Sequence, residues 1–330
     1  MTEERLPLLL NDWQNELHHP IHDVRYLIKR LKLSPTLSAD TAQQRFGLRV
    51  PSSYVARIRQ GDITDPLLRQ VLPLLEEKQH IAQFSHDPLN ERMAEKIPRL
   101  LHKYRGRVLL MVTNHCAIHC RYCFRRHYSW PKVGHLLDNQ AIFDRIRADI
   151  SLHEVILSGG DPLTLSDGDL ADLVQQLANI PHLKRLRIHT RIPVVLPQRI
   201  NDTLLASLTT TRLPILMVIH ANHAQEIDET VRYALKQLAQ ANILLLNQSV
   251  LLRGVNDNVA TLTTLSETLF SCHVLPYYLH LLDRVQGAAH FEVSLQTATN
   301  LLEQLRIHLP GYLVPQFVRE IAGMPYKQPL

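Results

Sequence analysis

Residues 107–125 read R-V-L-L-M-V-T-N-H-C-A-I-H-C-R-Y-C-F-R. A strongly apolar run, Arg107–Val112, passes straight into a loop holding Cys116, Cys120 and Cys123, three of the chain's four cysteines, in a C-x3-C-x2-C spacing. A short strand ending in a ligand-rich loop is half of a strand–loop–helix unit, so the fold turns on whether the unit repeats. It does. Glu154–Leu157, Arg185–Ile188, Pro214–Ile219, Ile243–Leu246 and Val274–Leu279 have the same strand character. Amphipathic stretches predict helices at Asp138–Asp149, Asp167–Leu177, Asn201–Leu208, Ala224–Ala239, Asn258–Phe270 and Ser294–His308. This alternation predicts parallel strands with helical crossovers, in a barrel or sheet. A seventh extended run, Leu313–Val318, follows.

Residues 1–100 read differently. Asn11–Leu17 and Val24–Lys32 have helical periodicity, and prolines at 20, 35, 51, 66, 73, 88 and 98 break the rest into short pieces. The expected organisation is a helical N-terminal region (1–100), a barrel (101–310) and a C-terminal segment (311–330).

The 330 residues are 45% hydrophobic, the composition of an ordinary globular protein, and no apolar run approaches a membrane span. The opening M-T-E-E-R-L-P-L-L-L-N-D is unlike a secretory signal, and clustered cysteines suit a reducing compartment, so a cytoplasmic enzyme is expected. A net charge of +5 raises the question of nucleic acid, but the cations are scattered and form no basic block. A site for anionic small molecules is the better reading.

Polar residues gather where the strands end. Asn114 and Cys116 follow the first, Ser158-Gly159-Gly160-Asp161 the second, His189-Thr190-Arg191 the third and His220 the fourth. Asn247-Gln248-Ser249 end the fifth, and His280 and Asp283 the sixth. In a parallel α/β fold these ends share one face, where sites are built. Three soft thiolates on one loop can hold a [4Fe–4S] cluster by three irons, leaving the fourth iron open to a ligand. A structural zinc site with His115 or His119 as the fourth ligand fits the spacing too.

The loop motif with Tyr122 before its last cysteine, followed by L-S-G-G-D, resembles the radical S-adenosylmethionine superfamily. T-N-x-C-x3-C-R-Y-C-x-R-R, R-x-P-V-V-L-P-Q-R-I, N-Q-S-V-L-L-R-G-V-N-D and P-Y-Y narrow the resemblance to the lysine 2,3-aminomutase family, over most of the chain from about residue 100. It implies a partial (β/α)6 TIM-like barrel. It also implies three cofactors: a [4Fe–4S] cluster, S-adenosylmethionine and pyridoxal 5′-phosphate. The adenosyl radical would take a hydrogen from C3 of lysine, and the amino group would move from C2 to C3.

The resemblance also distributes roles. Cys116, Cys120 and Cys123 would hold the cluster; Tyr122, Gly159, Gly160 and Asp161 would belong to the cluster and adenosylmethionine site. Lys327 would carry pyridoxal phosphate, with Tyr104 and Arg107 near its phosphate and Asn247 and Gln248 lining the pocket. Lys103 stands where the family has arginine. Arg125 would pair with the substrate carboxylate, and Asp283 and Glu320 with the lysine ε-ammonium, Glu320 replacing an aspartate. Met324, Pro325 and Tyr326 depart from a glycine-rich family motif, and Asn258 stands where longer members place a zinc-binding cysteine, so no zinc is expected. The chain is most similar to the short bacterial form that makes (R)-β-lysine for translation elongation factor P. An electron donor is implied as partner. Competing readings are another amino-acid 2,3-aminomutase, a radical enzyme modifying RNA, and a zinc-holding interaction module.

Overall fold

The computed structural model describes residues 13–35, 46–130 and 136–330. Ten strands form one sheet in sequence order: β1 Glu95–Ile97, β2 Leu100–Tyr104, β3 Arg107–Thr113, β4 Glu154–Gly159, β5 Arg185–Thr190, β6 Ile215–Ile219, β7 Leu244–Val250, β8 Val274–His280, β9 Gln316–Arg319 and β10 Gln328–Pro329. From β3 to β9 every pairing is parallel. The first two pairings and the last are antiparallel. The linear order leaves an open, partial barrel, as the alternation of strands and helices implies. Buried between helices and barrel interior, β4 has five consecutive buried residues, which is why such strands read as unbroken apolar runs.

The helices fall close to their expected places, and all but Gln140–Ala148 are started by a side chain that accepts a backbone N–H. Ser166 caps Asp167–Ala178, Asn201 caps Asp202–Thr209 and Ser294 caps Leu295–His308. Asn258 caps Val259–Ser271 by accepting from Thr261 N at 2.9 Å. The expected helix Ala224–Ala239 is instead a 3-10 turn, Ala224–Glu226, and a helix, Glu229–Gln240. Asp228 restarts the helix as its cap, while the buried Glu226 carboxylate turns back to the N–H groups of Asn222 and His223.

Before residue 95 the chain forms short pieces: Trp13–His18, Val24–Arg30, Ser52–Val55, Pro66–Arg69, Leu75–Lys78 and Glu91–Ala94. Asn11, where the first helical run was expected to start, lies outside the described residues. Trp13, Leu27, Tyr54 and Leu67 join the core cluster that also holds Val108, Leu157 and Leu186 of the barrel. The last strands were less legible. Gly311–Leu313 forms a 3-10 turn, so β9 starts only at Gln316. β10 then folds back on β9, pairing Gln328 with Arg319, and pins the segment before it to the barrel mouth.

Candidate active site

A cavity of about 670 Å³ opens at the C-terminal ends of the parallel strands. Cys116, Cys120 and Cys123 line one side; Tyr104, Arg107, Gln248, Asp283, Glu320 and Lys327 line the rest, together with Tyr122, Arg125, Gly159, Gly160 and Asp161. Asn247 is not among them. Its buried amide is spent on Ala221 N (2.8 Å), Ala221 O (3.1 Å) and Ser249 Oγ (2.8 Å), tying β7 to the chain leaving β6.

The cysteine loop is clamped from beneath. Glu77 receives Arg121 Nε at 2.8 Å and Arg126 Nη2 at 2.6 Å, and all three side chains are buried. Breaking such a pair costs about 3–5 kcal/mol because the surviving charge stays buried. Arg191, from the end of β5, donates to Cys120 Sγ at 2.7 Å and to Glu226 Oε2 at 2.8 Å and Gln70 Oε1 at 2.6 Å. Burial works against its charge, but Cys120, Tyr122 and Glu226 hold the guanidinium protonated. Tyr122 is tied to the same network by Asn222 Nδ2 at 2.7 Å. Burial pushes the Cys116 thiol well up and Cys123 to about 11, so metal loading must expel protons. His119 Nδ1 donates to Gly47 O at 2.9 Å, and its ring stacks on Phe46.

Gly159 and Gly160 join β4 to this loop. Gly159 has φ +120°, and a Cβ there would lie 2.7 Å from Thr113 O; a Cβ on Gly160 would collide with the His115 carbonyl. Their N–H neighbours reach across, Gly160 N to Thr113 O and Asp161 N to His115 O, each 2.7 Å. The buried Asp161 carboxylate spans to β5, accepting from Thr190 Oγ1 at 2.6 Å and Arg191 N at 2.7 Å. Gly160→Ala should therefore displace residues 113–116 and reduce bound iron severalfold in a chain that still folds. Iron and sulfide per chain, with circular dichroism, measure this; full iron content would refute it.

On the far wall, Lys327 is no solvated tail. Its Nζ donates to Glu320 Oε2 at 2.6 Å and lies 5.8 Å from the Tyr278 ring centre. Glu320 also receives Lys103 Nζ at 2.8 Å. Burial opposes its charge, yet the two lysines hold it well below the usual carboxylate range. Asp283 has the opposite fate. Among the described residues it has no ion-pair partner, and burial, then Glu320, push it up to about 7. His189 lines the cavity with Nε2 buried and unbonded, and burial with Arg187, Lys327 and Arg125 nearby keeps it neutral. Arg107 stacks 4.7 Å from the Tyr104 ring centre. Glu91, absent from the sequence reading, pairs with both Arg125 and Lys103 at this wall. The strand-end pattern pointed to Arg191 and His189; nothing in the local sequence marked Glu91.

The donor set fits the implied cofactors. Three thiols and a cationic hydrogen-bond donor line the same cavity as a lysine, an arginine, a tyrosine and a neutral imidazole. Comparison with known proteins agrees. The radical SAM superfamily profile matches residues 110–265. The L-lysine 2,3-aminomutase of Escherichia coli K12 is 46% identical over 97% of this chain and 94% of its own length. That of Haemophilus influenzae is 47% identical over 96% and 94%.

The chain belongs to the lysine 2,3-aminomutase family.

With that family come the [4Fe–4S] cluster, S-adenosylmethionine and pyridoxal phosphate. The Clostridium subterminale aminomutase is 36% identical over 97% of this chain and 78% of its own length. Among solved structures, a radical SAM methyltransferase from Sphaerobacter thermophilus aligns over 67% of this chain and 68% of its own, at 17% identity and TM-score 0.46. No described helix is long and apolar enough to cross a membrane.

Proposed function

We propose that this chain is an L-lysine 2,3-aminomutase, moving the amino group of L-lysine from C2 to C3 to give β-lysine. The observation that carries it is one cavity with three cysteines on one wall and Lys327, Asp283 and Glu320 on another. When bound, the cluster with S-adenosylmethionine supplies a carbon radical, and pyridoxal phosphate carries the migrating nitrogen. Cys116, Cys120 and Cys123 hold the cluster, with Arg191 neutralising part of the thiolate charge. Lys327 would hold pyridoxal phosphate, with Arg107 and Tyr104 as donors for its phosphate. Arg125 takes the substrate carboxylate. Asp283 takes the ε-ammonium, and Glu320, which already gathers two lysines, adds its field. On the motif resemblance alone we assign the product to modification of translation elongation factor P, in the cytoplasm, with a reduced carrier as electron donor.

An anaerobic assay of reconstituted protein with lysine should yield β-lysine; none, with all cofactors bound, would reject the reading. Asp283 gives a sharper test. Its carboxyl titrates near 7, raised by burial and by Glu320 and Glu91, with Lys327 and Lys103 opposing. A cationic side chain needs it ionised. Lysine affinity should therefore rise about tenfold from pH 6 to pH 8, as the ionised fraction grows. Asp283→Asn should flatten that dependence and weaken lysine binding by about 10–100-fold, the worth of one charge-assisted hydrogen bond. Equal loss of pyridoxal phosphate would reject the assignment.

A further inference from the structure

Arg125 is more fully committed than a free carboxylate receptor would be. Its Nε and Nη2 donate to Glu91 Oε2 and Oε1, both at 2.7 Å, and Nη1 donates to Ser158 Oγ at 3.1 Å and Gly159 O at 3.4 Å. A guanidinium has five N–H groups, so one Nη2 hydrogen remains for a ligand. Glu91 is itself held. Only 2% exposed, it opens the short helix Glu91–Ala94, gives its N–H to Asp87 Oδ1 at 3.0 Å and accepts Lys103 Nζ at 3.0 Å. Lys103 continues to Glu320, and Glu320 to Lys327. Five alternating charges, Arg125–Glu91–Lys103–Glu320–Lys327, thus run unbroken along the cavity wall from the cysteine loop to the C-terminal segment.

We propose that Glu91 is a positioning residue for the aminomutase reaction, fixing the Arg125 guanidinium so that its one remaining N–H meets the α-carboxylate of the amino acid in a single orientation. This rests on the aminomutase reading and deepens it: the segment before the barrel sets the direction of the substrate's C2–C3 bond. A buried ion pair could be a brace and nothing more. The two roles differ in what the charge does to binding. Glu91 competes with a ligand carboxylate for Arg125, so neutralising it strengthens the cationic field that the substrate meets. Orientation is lost at the same time, and a misplacement of about 1 Å can cost on the order of 10²-fold in rate.

The test uses Glu91→Gln and Glu91→Asp in fully loaded enzyme. Lysine binding is read from the change in pyridoxal absorbance, turnover from β-lysine, and misfiring from 5′-deoxyadenosine released per β-lysine. Glu91→Gln is expected to bind lysine at the same or lower concentration, turn over at least tenfold more slowly and release more deoxyadenosine per product. Glu91→Asp, which keeps the charge but not the reach, is expected to fall between. Wild-type turnover and ratio in Glu91→Gln would overturn the proposal. So would loss of iron or pyridoxal phosphate in step with activity, the mark of a brace. If wild-type absorbance does not respond to lysine at all, the aminomutase reading fails instead.

Discussion

Lys327→Ala is expected to abolish the visible band of protein-bound pyridoxal phosphate and to take β-lysine formation below detection. Three observations place the burden on this one lysine. It lines the cavity, its Nζ sits 5.8 Å from the Tyr278 ring centre, and β10 pins the chain immediately after it. A cofactor bound through a covalent bond loses its anchor outright when the amine goes. The other lysine on this wall, Lys103, is held between Glu91 and Glu320, which keep it protonated and unreactive despite burial. Lys103→Met should therefore keep the covalent band. Borohydride reduction followed by peptide mapping identifies the attachment point. A modified peptide carrying any lysine other than Lys327, or a persistent band in Lys327→Ala, would sink the assignment.

Cys123→Ala is expected to have an effect of similar size through the other wall. Loss of one thiolate leaves two protein ligands for a cluster that needs three, and iron content should fall to a small fraction of the wild-type value. Reductive cleavage of S-adenosylmethionine should vanish with it. Pyridoxal phosphate, held across the cavity, should stay bound, which separates a local lesion from unfolding. Cys272 is the internal control. It is buried at the end of the helix Val259–Ser271, accepts Arg232 Nη1 at 3.2 Å and lies outside the cavity, so Cys272→Ala should keep the full cluster. Zinc without iron or sulfide in the wild-type protein would reject the cluster reading and favour a metal-held interaction module.

Glu91 and Glu77 show where reading the sequence stops. Both sit in short segments between prolines, with no periodicity to place them, and both turn out to hold arginines of the cysteine loop. Arg125 itself was legible as a cation two residues beyond Cys123. That Glu91 already covers one edge of it was not, because the two residues are 34 positions apart and meet only when the N-terminal segment packs across the barrel mouth. Gly159 and Gly160 read as part of the cluster and adenosylmethionine site. The structure puts the backbone of Thr113 and His115 against them, so the glycines hold the cysteine loop to β4. Glu320 read as a receptor for a substrate ammonium, and here it gathers Lys103 and Lys327, because folding β10 onto β9 brings the C-terminal lysine back beside it.

Local rules reach as far as a few residues along the chain. Periodicity therefore determined the parallel strands and their helices, capping residues determined where most helices begin, and the strand-end rule gathered the cysteines, glycines and acids onto one face. Pairings between charges depend on which segments pack together after collapse, and no local spacing encodes them. The antiparallel strands β1, β2 and β10, the division of Ala224–Gln240 into turn and helix by Glu226, the diversion of Asn247 from the cavity and the charge chain from Arg125 to Lys327 were decided by tertiary structure alone. Each satisfies a buried polar or charged group that only the folded chain creates.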